Sequence, residues 1–371
     1  MRRLAAAACC IAAAAHAADP VPLAREIGVD PSKNLTQSHV LEDVVIAPIP
    51  ISNPTVGTGL GVVVMPFYHL GPESPLSNTA IAAGYTSSGS WAVGAAQSTR
   101  LRGDRLRIDG TLAYFDLHYR FFGKGAEAGS AGQSVPIEQK ATAFVPELLF
   151  QIGGRAFLGV RYRGIRIETS LDDADVPPSL VQPAGDLKGT IMSSGIGPVA
   201  VFDTRDNEMN PASGWLADFR ANFAEHSFGS DSSYRTFTLG VNHYRRLGPG
   251  VLALRAFGCG ASERTPLFDL CLYGAGSDLR GYEIGRYRDR TMLAAQAEYR
   301  FPLRGRFGAV AFAGTGKIAP SFGEMDKAPT LPSVGAGLRY LASPRARVNV
   351  AFDIARGRDE TTAYIYVKEA F

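Results

Sequence analysis

Side-chain catalysis needs a nucleophile, a base or a metal held at close range. After residue 17 the histidines are His39, His69, His118, His226 and His243. None has the H-x3-H or H-E-x-x-H spacing that places two imidazoles on one metal. No G-x-S-x-G elbow is present to raise a serine nucleophile. The glycines of GTGLG (57–61) lack the lysine and the following helix of a phosphate loop, and read better as strand glycines. The sequence therefore predicts no catalytic residue, no cofactor and no enzyme.

Two stretches are sharper than the rest. VFDTRDNEMNPASGW (201–215) concentrates turn formers: Asp203, Asp206 and Asn207 can bond their own backbone, Pro211 fixes φ, and Gly214 permits a strained exit. A metal reading would need histidine support, and the nearest downstream, His226, lies a strand away, so no metal is expected. GAGSDLRGYEIGRYRDR (274–290) has neither strand nor helix period and sets Arg280 between Leu279 and Gly281-Tyr282. Such an arginine is either a solvated loop cation or a buried charge that needs an acidic partner. Cys259 and Cys271 are the two cysteines outside the leader and have eleven residues between them. In an oxidising compartment they invite pairing; otherwise they are two small unreactive side chains.

These residues need elements to position them. Residues 1–17 read as a secretory signal peptide: Arg2 and Arg3, an apolar run from Leu4 to Ala15, and cleavage after Ala17. Losing the two arginines takes the formal net charge from +3 down to +1. A near-neutral exported chain offers no electrostatic footprint for nucleic acid. Residues 18–42 form a short polar N-terminal segment with no room for a folded domain. From residue 43 to 371 the chain carries no apolar run long enough for a transmembrane helix.

What it carries is alternation. Leu106, Ile108, Leu112 and Tyr114 oppose Arg105, Arg107, Asp109 and Thr111. Trp215, Phe219 and Phe223 oppose Asp218, Arg220 and Asn222. Leu293, Tyr299 and Phe301 oppose Gln296, Glu298 and Arg300. Val348, Val350, Phe352 and Ile354 oppose Arg347, Asn349 and Asp353. This is the strand period. Charges of both signs on one face and aromatics on the other suit a transmembrane barrel with lipid outside and a wet lumen. Closure also leaves no unpaired edge in lipid. Short connections such as 102–104, 153–154, 248–250, 303–306 and 343–345 alternate with long ones at 117–138, 169–187, 259–290 and 318–332. The rhythm predicts a sixteen-stranded antiparallel transmembrane β-barrel over 43–371. Its first strand is 43–51, with Pro48 and Pro50, and its last is 361–371, ending in the aromatic Phe371 as a C-terminal barrel signal.

Inside such a barrel, the two sharp stretches resemble the BamA/TamA superfamily, whose barrel is also called the bacterial surface antigen domain. The family's D-x-R-D-N…P-x-x-G turn falls on Asp203, Arg205, Asp206, Asn207, Pro211 and Gly214, which the resemblance places in a periplasmic turn. Its V-R-G-F/Y loop tip falls on Leu279, Arg280, Gly281 and Tyr282. AEYRFPL (297–303) and SVGAGLRY (333–340) match as well. The resemblance implies a loop folded into the lumen, with Arg280 docked on acidic residues of the inner wall. Glu298 matches one such partner. The other belongs to an F-x-D-x-G pattern, which reads Phe312-Ala313-Gly314-Thr315-Gly316 here, so Gly314 replaces the acid and half of the clamp is expected to be missing. Asp353 is the candidate to make up the difference. A Cys259–Cys271 bridge would then restrain the loop's ascending arm.

The implied location is the outer membrane of a diderm bacterium, in a form lacking the periplasmic POTRA domains. The implied partners are outer-membrane lipid, client outer-membrane proteins and a separate periplasmic partner, with no nucleic acid. The implied function is assistance in protein insertion or translocation, through a weak seam between the first and last strands. The alternative is a small-solute pore or structural barrel without assembly activity.

Overall fold

Side chains of a strand point alternately to its two faces, so one apolar set in two steps makes a wall with two different surfaces. The computed structural model describes residues 41–371 except 54–55, 72, 172–175, 181–187, 275–277 and 345–346. The expected signal peptide at 1–17 and nearly all of 18–42 lie outside the described residues.

The wall is one antiparallel sheet of sixteen strands in sequence order. They are β1 (Leu41–Asn53), β2 (Gly57–Tyr68), β3 (Ser77–Thr86), β4 (Trp91–Leu101), β5 (Leu106–Phe121), β6 (Val135–Gly153), β7 (Ala156–Leu171), β8 (Gly189–Asp203), β9 (Gly214–Ala224), β10 (Tyr234–Leu247) and β11 (Gly250–Ala261), followed by β14 (Thr291–Pro302), β15 (Phe307–Ala319), β16 (Leu331–Ser343), β17 (Val348–Arg356) and β18 (Thr361–Val367). The two missing numbers, β12 (Cys271–Leu272) and β13 (Arg288–Asp289), form a small ribbon of their own at the base of the long loop. Every strand ends next to the start of its successor, and so the sheet curls into a nearly closed barrel. One α-helix is found among the described residues, α1 (Ala126–Ala131), in a loop. No helix among the described residues is long and apolar enough to cross a membrane.

The outer surface is apolar. Leu60, Ile81, Leu112, Phe144, Leu239 and Leu338 are all exposed, and each belongs to the lipid-side phase of its strand. On the inner phase, Arg107, Glu147, Gln296, Glu298, Arg300, Arg339 and Asp353 are buried. An ordinary soluble core reverses this arrangement. The first strands depart from it: Val63, Met65 and Phe67 of β2 and Ala80 and Ala82 of β3 face inward, and pack with Ile49, Ile51, Ala113 and Leu117 into an apolar cluster.

The two ends differ. One carries short turns, the other long loops that fold back on each other. At the long-loop end, the Gly125 amide donates to the Arg288 carbonyl (2.8 Å), which seats α1 against the loop between β11 and β14. Arg120 of β5 reaches Glu283 of that loop at 3.1 Å.

Two expectations about the ends of the sheet are corrected. The first strand is longer than 43–51, and pairs with β2 throughout despite Pro48 and Pro50. The last strand stops at Val367, so it does not run to Phe371. Lys368 takes φ +83°, a left-handed turn that diverts residues 368–371 into the lumen. There Phe371 packs with Tyr244 and Ala253 and does not finish a lipid-facing strand. The reason is charge: Glu369 on a continuing strand would face an apolar or unpaired setting, whereas inside it meets Arg339 at 2.8 Å and the Asn349 amide nitrogen at 2.6 Å. Among the described residues no ladder joins β1 to β18, although they are neighbours across the seam.

Candidate functional site

Arg280 sits at the lowest point of the loop that links β11 to β14, inside the barrel, and is 1 % exposed. Its Nη2 is 2.6 Å from Glu298 Oε2 on β14, and its Nη1 is 2.5 Å from Asp353 Oδ2 on β17. The guanidinium lies over the Phe312 ring of β15, 3.4 Å from the centroid. Both ends of the guanidinium fork are thus held by carboxylates and its face by an aromatic, a geometry that suits arginine and not lysine.

The neighbours of Arg280 hold the backbone. The Gly281 amide donates to the Tyr364 hydroxyl (2.8 Å), and the Arg280 carbonyl accepts from Ser333 Oγ (2.6 Å). Gly281 has φ +100°, and a Cβ there would stand 2.6 Å from the Gly357 amide, so only glycine fits. The Tyr282 hydroxyl donates to the Pro332 carbonyl at 2.5 Å. Leu279 is fully buried and lies over Gly314 and Gly316 of β15. A Cβ on Gly314 would meet Leu279 Cδ1 at 2.9 Å, and one on Gly316 would meet the Tyr273 hydroxyl at 2.3 Å. The missing acid at Gly314 therefore leaves no gap in the clamp. The space is filled by Leu279, and the second carboxylate comes from Asp353, two strands further on.

Three residues join this site that the sequence motifs did not single out. Arg300 Nε is 2.7 Å from Glu298 Oε1, Arg339 Nη1 is 2.6 Å from Asp353 Oδ1, and Glu369 lies 2.8 Å from Arg339 and 3.5 Å from Arg300. Three guanidinium groups (Arg280, Arg300, Arg339) thus face three carboxylates (Glu298, Asp353, Glu369). Arg300 also donates to the Phe371 carbonyl at 2.9 Å. Arg300 and Arg339 could be found from the inward phase of their strands. Glu369 was visible as a break in the apolar series of the last strand, but alternation alone could not say that the chain leaves the wall there.

The loop is fixed at its base by a bond between Cys259, near the end of β11, and Cys271, the first residue of β12, with Cα atoms 5.8 Å apart. Cys271 stands opposite Asp289 in the β12–β13 ribbon, so the two arms of the loop are tied where they enter the lumen.

The DTRDN turn closes the opposite, short-turn end. Asp206 Oδ1 accepts from the amides of Ala212 (2.7 Å) and Ser213 (3.1 Å), and Asn207 Oδ1 from those of Met209 (3.0 Å) and Asn210 (2.8 Å). Pro211 is buried, and Gly214 takes φ +105°. Arg205 forks onto Asp203 at 2.9 and 2.8 Å. The turn then reaches across the mouth: Glu208 lies 3.5 Å from Arg100, Asp206 lies 3.4 Å from Arg347 and 3.6 Å from Arg246, and Met209 packs on the apolar cluster of the first strands. Burial raises the Asp206 pKa, but the two amide hydrogen bonds and Arg347 more than offset this, and the carboxyl ionises below its usual range.

Among the described residues one group has metal-like composition, Asp116, His118 and Glu138 near the long-loop end. Lys140 already lies 2.9 Å from Glu138, supplying the positive charge a cation would bring. Nothing there supports a catalytic site.

A sixteen-stranded barrel with a loop arginine clamped in its lumen and a structured turn beneath it defines a particular class of membrane barrel. The chain belongs to the Omp85 superfamily, whose domain matches residues 97–368. No curated protein matches it in sequence. Among solved structures it is similar to BamA from Haemophilus ducreyi lacking POTRA domains 1–3, at 13 % identity and TM-score 0.56, over 90 % of this chain and 71 % of that one. It is also similar to CdiB from Escherichia coli (15 %, TM-score 0.63, 91 % and 64 %) and CdiB from Acinetobacter baumannii (11 %, TM-score 0.54, 90 % and 60 %). The chain spans less than two thirds of either CdiB chain. At these identities the likeness is one of fold.

Proposed function

We propose that the protein acts in the outer membrane of a diderm bacterium as a non-enzymatic barrel that assists insertion or translocation of other proteins. The short turns face the periplasm and the long loops face outward, with a separate periplasmic partner delivering clients. The observation that carries this reading is the seam: among the described residues β1 and β18 are neighbours without a ladder between them, while the other fifteen junctions of the barrel are paired. A strand edge without a ladder offers amide and carbonyl groups that a client strand can satisfy. Pro48 and Pro50 remove two donors from β1 and so weaken its competing pairing. The Arg280 clamp keeps the loop in the lumen, where it and the inward tail obstruct a continuous pore.

The test is to reconstitute the purified barrel in proteoliposomes and follow folding of an unfolded client barrel, beside planar-bilayer conductance on the same preparation. Client folding without steady current is the expected result. Steady current with no client folding would instead make the protein a small-solute pore.

A further inference from the structure

The charges of the two ends of the barrel are not alike. At the short-turn end the exposed charged side chains are mostly arginines among the described residues. Arg102 and Arg105 lie on the β4–β5 turn, Arg155 on the β6–β7 turn, Arg245 and Arg246 at the β10–β11 turn, and Arg304 and Arg306 on the β14–β15 turn. Of these, Arg246 has an acidic neighbour, Asp206 at 3.6 Å, and is itself 69 % exposed. Arg102, Arg105, Arg155, Arg245, Arg304 and Arg306 have no carboxylate partner among the described residues. Among the described residues the exposed acids at this end are Glu73 and Asp206, and Asp206 is already engaged by Arg246 and Arg347. At the long-loop end exposed acids such as Glu127, Glu168, Asp231, Glu263, Glu324 and Asp326 mingle with the bases.

We propose that these short-turn arginines form a collar that binds the phosphates of anionic phosphoglycerides in the leaflet at that end. The inference rests on the membrane-spanning reading of the barrel. Lipid, and not an acidic protein, is favoured by what flanks the arginines. Ile152, Leu247, Leu303 and Phe307 are 66, 51, 51 and 57 % exposed, and each stands within three residues of a collar arginine. Phe307 also packs against Tyr340, with ring centroids 5.4 Å apart, at the same level of the wall. A large apolar side chain next to a long cationic one is the arrangement of an interfacial anchor. The apolar group enters the acyl region while the arginine reaches the headgroup. Guanidinium groups fork onto phosphate oxygens, and these have no carboxylate to give up first. Near a surface each such cation is worth about a fivefold preference for anionic lipid at moderate salt.

The test uses the full folded protein in phosphatidylcholine vesicles doped with spin-labelled phosphatidylglycerol. Heat-modifiable gel mobility checks folding. Phosphatidylglycerol should be enriched about fivefold or more in the motionally restricted annulus, and the enrichment should shrink at about 1 M salt, where the Debye length is about 3 Å. The variant R155Q/R245Q/R304Q/R306Q should lose most of it. A matched variant at the other end, R166Q/R235Q/R264Q/R356Q, should retain it, which controls for net charge. Insertion with no enrichment in the wild type, or equal enrichment in both variants, overturns the collar while leaving the barrel reading intact. A chain that fails to insert at all overturns the membrane reading, and the collar with it. A rim that ignores phosphatidylglycerol yet binds polyglutamate also overturns the proposal, in favour of an acidic protein partner.

Discussion

Arg280 is bonded to two carboxylates that are themselves shut off from water, so the cost of removing it is set by what it leaves behind. Arg280→Ala strands Glu298 and Asp353 in the lumen, and should destabilise the folded barrel by about 3–5 kcal/mol. Arg280→Lys should recover little, because a single ammonium cannot fork onto acids from β14 and β17 while lying flat on Phe312. Urea titration in detergent, read by gel mobility and loop proteolysis, checks both. A lysine variant as stable as wild type would show that charge alone, and not the fork, holds the loop. Gly314 gives the opposite kind of prediction. The family pattern puts an acid there, and restoring it would seem to strengthen the clamp. In this chain the Cβ alone would come within 2.9 Å of Leu279 and 2.7 Å of Gln296 Cγ. Gly314→Asp should therefore expel Leu279, add a further carboxylate beside Glu298 and Asp353, and destabilise the loop. A stabilising Gly314→Asp would defeat the account of how Asp353 replaced the missing acid. The motif made Arg280 and Glu298 readable from sequence. Asp353 was named as the substitute acid from the polar phase of its strand, but its reach to Arg280 depends on the curvature of the wall.

At the scale of elements, the DTRDN turn is a small lid whose shape depends on one ionised carboxyl. Asp206 has a lowered pKa in the folded protein. A lowered pKa contributes stability that is present above the unfolded value and is lost as pH falls through the folded one. Hydrogen exchange at 207–213 should accordingly rise in acid, below the ordinary carboxylate range. Asp206→Asn should exchange faster at neutral pH and show a flatter acid response. Acid protection identical in the two proteins would remove Asp206 from that role. The seam is the second element with a testable property. A cysteine pair engineered across β1 and β18 should abolish client insertion once oxidised, and reduction should restore it. Full activity with the cross-link complete would exclude the seam as the route. Most strand positions were legible, since lipid demands strict alternation wherever one face is apolar and the other charged. The ends were not. The first strands carry apolar residues on both faces, which weakens the period, and the last strand is cut short by the ion pairs of Glu369, whose break in the apolar series was visible but did not say where the chain turns.

The whole molecule ties loop, wall and tail into one charged cluster. Arg280 belongs to the loop, Glu298, Arg300, Arg339 and Asp353 to the wall, and Glu369 to the tail. Arg339 touches both Asp353 and Glu369, and Arg300 touches both Glu298 and the Phe371 carbonyl, so loop and tail share their anchors. Residues in one such network do not contribute independently. Removing the loop arginine leaves an excess of negative charge on the wall, which loosens the acidic tail as well as the loop. Arg280→Ala should thus do two things that a local defect would not. Channel events should appear in planar bilayers as the lumen clears, and carboxypeptidase should trim Phe371 faster than in wild type. Glu369→Gln supplies the reverse test: it weakens the tail's ion pairs while leaving both acids of the Arg280 clamp in place, so trimming should accelerate while the loop stays resistant to protease. If Arg280→Ala opens the pore but leaves Phe371 fully protected, the loop and the tail are held separately, and the cluster does not couple them.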